Sequence, residues 1–269
     1  MQIMKNVFIE GIQGSGKSTL LNSIFNAAPE FHVCREGDYS PIDLAWCTWM
    51  SKEEYEAVLT RYKQIQDEII RNTVQEQGHY IITYTKIITD IPHFHKELEK
   101  YEISNGRTEL QDFKELIFSR YRNFSETGYL FECSFFQNIV EDLMLFHLLD
   151  DDEIIGFYQE LFNIFSQKEA ILLYLYSDNL EQNVQTIKKE RCDNSGNELW
   201  YELMLEYLTH SPYGQKHGYC TFGDMVAHFK HRQRLELRII DEIIGDNAII
   251  LPSKDWDIDK VIQMCQSFE

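Results

Sequence analysis

The sequence has few basic residues and no long hydrophobic run, and each absence excludes a class of protein. Lysine and arginine number 25 against 44 aspartates and glutamates, which gives a formal charge of −19. Broad binding to nucleic-acid polymers or to anionic membranes requires basic surfaces, so we expect neither partner. No apolar run approaches the roughly 20 residues that a membrane span requires.

Paired cysteines are also lacking. The six cysteines are scattered and form no C-x-x-C pair, which favours neither a zinc site nor a disulfide framework. The first five residues lead straight into a predicted strand and do not resemble a secretory signal. We therefore expect reduced thiols and a cytoplasmic protein. At 269 residues, 43% of them apolar, the chain is long enough to bury a substantial core.

The clearest pattern in the chain is a glycine-rich stretch near its start. Residues 11–18 fit the pattern G-x-x-x-x-G-K-[ST] without a mismatch. The apolar run Val7–Ile9 before it predicts a buried strand, and the residues 20–25 after it show helical spacing. A strand, a glycine-rich turn and a helix are the context in which backbone N–H groups bind phosphate. The sequence therefore predicts a nucleotide site rather than a glycine turn that happens to precede a helix.

Each residue type in this stretch has a chemical role. Glycines allow successive N–H groups to turn inward around an anion. Lys17 would reach the β- and γ-phosphates, and the hydroxyl of Ser18 would help to hold Mg²⁺. We predict ATP and Mg²⁺ as cofactors, contacted by Gly11, Gln13, Gly14, Ser15, Gly16, Lys17, Ser18 and Thr19.

Apolar runs separated by helical patterns predict an α/β fold with a mainly parallel sheet flanked by helices. Strands are expected at 7–9, 32–35, 80–84, 128–132, 170–176 and 248–251. A capping box at Ser51 predicts a long helix reaching about Gln77, and further helices are expected at 138–167 (interrupted near Asp150), 180–191, 197–209 and 222–244. Ligands of parallel sheets lie beyond the carboxyl ends of the strands. The glycine-rich stretch, Glu36–Asp38 and Glu132–Ser134 are therefore expected to meet in one crevice.

Three segments together resemble the nucleoside and nucleotide kinases of the P-loop superfamily, especially deoxynucleoside and thymidylate kinases. Residues 8–21 are close to the phosphate loop of deoxynucleoside kinases. Arg35-Glu36-Gly37 is similar to the Arg-Glu-Pro or Glu-Pro element after their second strand. Glu132-Cys133-Ser134 is similar to the Glu-Arg-Ser or Asp-Arg element after their third strand. The resemblance implies a single three-layer P-loop NTPase domain over 1–269. It further implies a helical insertion at about 50–127 and a lid at about 188–215.

The resemblance also implies roles for three charged residues. Glu36 would be the general base that takes the proton from an attacking hydroxyl; the alternative is an exposed acid at a strand end. Glu132 would hold Mg²⁺ beside Ser18; the alternative is a structural pair with Lys17. Arg191, in a basic lid, would stabilise charge on the γ-phosphate; the alternative is a solvated helix end, where the helix dipole favours cations.

Three features depart from the pattern of the resembling kinases: the residue at 133, the absence of a proline after Glu36, and a long section around 79–127 that has no counterpart. Cys133 stands where they carry an arginine, and a cysteine supplies no fixed positive fork. Either another cation, such as Arg35 or Arg120, replaces it, or the substrate is not a deoxynucleoside.

The resulting expectation is an ATP-dependent phosphotransferase acting on a nucleoside, nucleotide or similar small-molecule acceptor. The alternatives are a non-catalytic ATP-binding regulatory module and a kinase for an antibiotic or another metabolite. A GTPase is set aside because no N-K-x-D motif is present and the letters D-x-x-G at 193–196 follow a charged helix. The oligomeric state stays open, and a homodimer is compatible with the resembling families.

Overall fold

The computed structural model describes residues 3–166, 169–192 and 198–267. They divide into two compact units. The core unit comprises Met1–Val33 and Ser125–Glu269, and the inserted unit comprises Cys34–Phe124. Most of the insertion predicted at 50–127 falls in the inserted unit.

The regular elements are numbered here in chain order. The strands are β1 (Ile3–Met4), β2 (Asn6–Gly11), β3 (His32–Cys34), β4 (Thr73–Glu76), β5 (His79–Ile82), β6 (Tyr129–Glu132), β7 (Ala170–Tyr176), β8 (Ala248–Pro252) and β9 (Gln266–Ser267). The helices are α1 (Lys17–Ala27), α2 (Lys52–Arg61), α3 (Gln66–Arg71), α4 (Phe94–Glu99), α5 (Leu110–Asn123), α6 (Gln137–Glu141), α7 (Asp151–Phe165), α8 (Leu180–Glu190), α9 (Leu199–His210), α10 (Pro212–His217), α11 (Phe222–Ile239) and α12 (Ile258–Cys265). Short 3-10 turns lie at Lys63–Ile65, Tyr84–Lys86 and Gly245–Asn247, and π-helical turns at Asp142–Phe146 and Ile240–Ile244.

The main sheet contains five strands in the order β3-β6-β2-β7-β8. β2 pairs in parallel with β6 and with β7, and β7 pairs in parallel with β8. β2 is buried along its whole length and β7 along nearly all of it, as expected for strands covered on both faces. The prediction of an α/β fold with a mainly parallel sheet is confirmed.

Helices cover both faces of this sheet. The side chains of β2 contact both helix layers, because successive side chains along a strand point to opposite faces. Val7 and Ile9 of β2 belong to an apolar cluster that includes residues of α1 and α12. The ring of Phe8, between them, lies 5.0 Å from the ring of Phe165 in α7. No helix in the described ranges is both long and apolar enough to cross a membrane.

The start of α2 is as predicted, but its length is not. Ser51 and Glu54 form the expected capping box. The helix ends at Arg61, so the single helix predicted to reach about Gln77 is wrong.

The predicted helix is replaced beyond α3 by a hairpin. β4 and β5 pair in antiparallel fashion, and Gln77 and Gly78 between them have φ values of 50° and 82°. Two residues with positive φ match the twist of a tight hairpin. The β-branched pair Thr73 and Val74 also fits a strand better than a helix. The inserted unit is therefore not purely helical.

The helices of the core unit follow the predicted order, except that α10 was not predicted. The expected interruption near Asp150 is confirmed, since Oδ1 of Asp150 accepts the backbone N–H of Glu153 at 2.9 Å and caps α7. The helix expected at 222–244 is regular only to Ile239 and ends in a π-helical turn. The segment with the letters D-x-x-G, residues 193–196, lies outside the described residues.

Candidate functional site

The glycine-rich stretch forms the turn between β2 and α1, at the carboxyl end of a strand inside the sheet. Gly14 and Gly16 have φ values of 79° and 99°, which other residues adopt only with strain. A Cβ atom on Gly14 would lie 2.1 Å from Cδ1 of Ile187 in α8. The packing of α8 therefore also requires a glycine here. The predicted succession of strand, turn and helix is present.

Lys17 is the first residue of α1, and its ammonium lies inside this turn. Nζ donates to the carbonyl oxygens of Gly11 at 2.7 Å and Ile12 at 3.2 Å. The residue is only 7% exposed, so these bonds offset part of the cost of burying a cation. The positive charge is therefore held at the inner side of the turn.

Two buried polar atoms of the turn, Oε1 of Gln13 and Oγ of Ser15, have no hydrogen-bond partner among the residues that the structure describes. Buried polar groups nearly always have a partner, so these two atoms mark a place that suits a bound polar group. A fixed turn, a buried cation and unsatisfied polar atoms together fit a phosphate group.

Ser18 and Glu132 meet beside this turn. Oγ of Ser18 donates to Oε1 of Glu132, which is buried at the end of β6, where Ile9 of β2 pairs with it in parallel register. The partner of this carboxylate is thus Ser18 rather than Lys17. A hydroxyl and a carboxylate are oxygen ligands that Mg²⁺ accepts, together with phosphate oxygens and water. Among the residues described, no group of three or more His, Cys, Asp or Glu is arranged to hold a metal ion.

Cys133 follows Glu132 in an unusual conformation. Its φ of 64° lies in the left-handed region, and its side chain is fully buried. A buried thiol, unlike a guanidinium group, carries no positive charge. The role of the arginine in the resembling kinases is therefore not filled at this position.

Glu36 and Arg120 belong to the inserted unit. Oε1 of Glu36 accepts the indole N–H of Trp46 at 2.9 Å, and its role as general base stays a prediction. Arg120 is buried, and its guanidinium donates to the carboxylate of Glu76 and the carbonyl of Ser40. The side chain proposed as one substitute for the missing arginine thus has acceptors within its own unit.

The basic residues of the predicted lid contact α9 and the residue before it. Arg191 directly follows α8, and its guanidinium carbon lies 5.6 Å from the centre of the Trp200 ring. Nζ of Lys188 pairs with Glu198 at 2.8 Å. Residues 193–197 between the two helices are not described. The charge-stabilising role of Arg191 stays a prediction.

The loop after β8 contacts the turn and was missed in the sequence. Oγ of Ser253 donates to the carbonyl of Ser15 at 2.8 Å. A Cβ atom on Gly16 would lie 3.2 Å from the Trp256 ring and 3.4 Å from Cγ of Lys254. The loop carries no sequence motif, but it follows the carboxyl end of β8, which is a parallel strand of the main sheet. The rule that sites lie beyond the carboxyl ends of such strands was the available signal.

A buried group of charged side chains was also missed. Glu10 of β2, Glu141 of α6, and Arg232 and Glu236 of α11 are all buried, and Arg232 pairs with both Glu141 and Glu236. Burial, helped by the nearby charge of Glu236, raises the pKa of Glu10 to about 8. Burial also opposes ionisation of Glu141, but His228 and Arg232 hold its pKa at about 2. The one signal in the sequence is an acid at the end of an apolar strand.

No protein-family model and no curated protein matches this chain. Its function must therefore be argued from the residues that the fold brings together. In the core unit these are the glycine-rich turn, Lys17, Ser18 and Glu132.

Proposed function

We propose that this chain is an ATP-dependent phosphotransferase, a small-molecule kinase of the nucleoside and nucleotide type with a three-layer P-loop fold. The observation that carries the proposal is the contact of Ser18 with Glu132 beside the buried ammonium of Lys17, at the ends of two adjacent parallel strands. Catalysis of phosphoryl transfer is mainly positioning and charge stabilisation. A cation, a hydroxyl and a carboxylate around one backbone turn are suited to both.

Each residue has its own part in this proposal. The N–H groups of the turn and the N-terminus of α1 bind phosphate oxygens, and Lys17 stabilises the charge of the transferred group. Ser18 and Glu132 would hold Mg²⁺, which when bound neutralises phosphate charge. Glu36 is proposed as the general base and Arg191 as the cation of the lid.

The proposed acceptor is a nucleoside, a nucleotide or a similar small molecule with a free hydroxyl or phosphate group. The formal charge of −19 disfavours a nucleic-acid polymer. A small phosphorylated ligand needs only a local cation, which Lys17 supplies.

A non-catalytic ATP-binding module is the second candidate, and one observation favours it. The buried thiol of Cys133 stands where the resembling kinases have an arginine. A kinase for an antibiotic or another metabolite would use the same phosphate site and differ in its acceptor.

The test is ADP release from Mg·ATP, measured with and without nucleosides, nucleoside monophosphates and aminoglycosides. We expect one acceptor class to stimulate ADP release. Lys17→Met should reduce the stimulated rate by at least about 100-fold, the effect of losing a preorganised charge at the reacting group. Lys260→Met, on α12, is the control, because this exposed lysine forms an ion pair with Asp257, next to the start of the same helix.

The outcomes separate the candidates. Full activity in Lys17→Met would contradict the site assignment. Binding of ATP without stimulation by any acceptor of the panel would favour the non-catalytic module.

A further inference from the structure

Glu10 is a fully buried acid at the carboxyl end of β2. Its Oε1 accepts the backbone N–H of Phe135 at 2.6 Å, and its Oε2 accepts the backbone N–H of Gln137 at 3.3 Å. Burying a carboxyl group is costly unless its oxygens are hydrogen-bonded. These two bonds therefore fix both the side chain and the backbone that it holds.

The backbone held by Glu10 is the turn that runs from Glu132 into α6. At the start of this turn the N–H of Cys133 donates to the carbonyl of Ile9 at 3.2 Å. The left-handed φ of Cys133, 64°, is a conformation that persists only where its surroundings determine it strongly. Two consecutive residues of β2 thus bind the turn, Ile9 at its start and Glu10 at its end.

We propose that Glu10 is a positioning residue for the Mg²⁺ site of the proposed kinase. By fixing this turn it holds the carboxylate of Glu132 against the hydroxyl of Ser18, and so sets the affinity of the nucleotide site for Mg²⁺. The inference rests on the proposed function, in which Ser18 and Glu132 are the Mg²⁺ ligands. Glu10 itself contacts neither the metal nor the nucleotide.

Glu236 provides a matched control. It is also a fully buried carboxyl group in the core unit, but its partners are the hydroxyl of Tyr174 at 2.6 Å and Nε of Arg232 at 2.9 Å. These partners lie on β7 and α11, not on the turn after β6. Loss of either acid removes a buried carboxyl group, whereas loss of Glu10 also releases the turn that carries Glu132.

The experiment titrates Mg²⁺ into the full chain with a fluorescent ATP analogue and measures equilibrium binding, with thermal unfolding in the presence and absence of Mg·ATP alongside. In Glu10→Ala we expect the Mg²⁺ concentration at half-saturation to rise about tenfold or more, as when a partner that orients a metal ligand is lost. In Glu10→Gln the amide oxygen keeps the bond to Phe135, while its NH₂ group faces the N–H of Gln137. A smaller rise is expected there, and a change of less than about twofold in Glu236→Gln.

Wild-type Mg²⁺ dependence in both Glu10 variants would overturn the inference and leave the proposed function intact. An equal rise in Glu236→Gln would do the same. Nucleotide binding by the wild type that does not respond to Mg²⁺ would overturn the proposed metal site and the inference together. If circular dichroism shows that Glu10→Ala is unfolded, Glu10→Gln is compared with Glu236→Gln instead. We expect the Mg²⁺ concentration at half-saturation to rise more in Glu10→Gln, and equal values in the two variants would contradict the inference.

Discussion

The ammonium of Lys17 is buried against carbonyl oxygens of the turn that precedes it. Neutral acceptors compensate a buried cation less well than an anion does, because hydrogen bonds between ionised groups are stronger. A phosphate group in the turn would supply that anion. The charge of Lys17 therefore favours ligand binding more than it favours folding.

Lys17→Met should accordingly separate binding from stability. Methionine keeps much of the aliphatic stem and removes the charge together with its desolvation cost, so we expect the free energy of unfolding to change by less than about 1 kcal/mol. The affinity for Mg·ATP should fall by at least about tenfold, the value of a hydrogen bond to a charged group. Urea unfolding and calorimetric titration measure the two quantities. A loss of several kcal/mol in stability would instead assign Lys17 to the fold.

Ser18→Ala removes the hydroxyl that contacts Glu132 and leaves the backbone of the turn unchanged. We expect the Mg²⁺ concentration at half-saturation of nucleotide binding to rise roughly tenfold. Ser23→Ala is the control, because Oγ of Ser23 lies on the exposed side of the same helix and donates to the carbonyl of Thr19. The proposed metal site is ruled out by equal Mg²⁺ titrations of the two variants.

Glu10→Gln should change how stability depends on pH. Burial raises the pKa of Glu10 from 4.5 to about 8, so between these values the folded chain holds a proton that the unfolded chain has lost. The contribution of Glu10 to stability is therefore present below pH 4.5 and is lost as pH rises to about 8. Glutamine does not titrate. The free energy of unfolding of Glu10→Gln should therefore rise with pH relative to that of the wild type, by at most about 1.4 kcal/mol per pH unit. Urea unfolding at pH 5.5 and 7.5 tests this; a difference that is constant or worsens with pH contradicts it.

Among the helices, two glycines of the core unit should respond to replacement in opposite ways. A Cβ atom on Gly156 in α7 would have no atom of the described residues within 4 Å, whereas one on Gly214 in α10 would lie 1.8 Å from the carbonyl oxygen of Leu208 in α9. Gly156→Ala should raise the free energy of unfolding by about 0.5–1 kcal/mol through helix propensity. Gly214→Ala should lower it by about 1–3 kcal/mol, because α9 and α10 must move apart. Urea unfolding distinguishes the two, and a stabilised Gly214→Ala would disprove the close approach.

The elements that sequence reasoning predicted best are those with an uninterrupted pattern. β7 spans its predicted range, Ala170–Tyr176, because a long apolar run is satisfied by burial on both faces of a sheet. The β4–β5 hairpin was missed because its turn requires a positive φ at Gln77, and no sequence pattern predicts a positive φ at a glutamine. α10 was missed because its six residues are too few to show a period.

At the site, too, the sequence predicts only what residues close together in the chain determine. The motif predicted Lys17 and Ser18 from adjacent residues alone. The contact of Glu10 with Phe135 joins residues 125 positions apart, so only the parallel pairing of β2 and β6 brings it about.

For the whole molecule, the excess of 44 acidic over 25 basic residues is the dominant electrostatic feature. Like charges on one compact chain repel each other and lower its stability. Salt screens this repulsion over a Debye length of about 8 Å at physiological ionic strength. We therefore expect the Tm to rise between 10 and 150 mM NaCl in differential scanning calorimetry. A fall would mean that surface ion pairs, such as Arg238 with Glu242, outweigh the repulsion.

The central claim is that the turn around Lys17 binds the phosphates of ATP. Calorimetric titration of the full chain with Mg·ATP tests it most directly, with Lys17→Met and Lys260→Met titrated under the same conditions. We expect one binding site per chain in the wild type and in Lys260→Met, and affinity reduced at least about tenfold in Lys17→Met. Equal affinity in all three proteins, or no binding by the wild type, would contradict the claim.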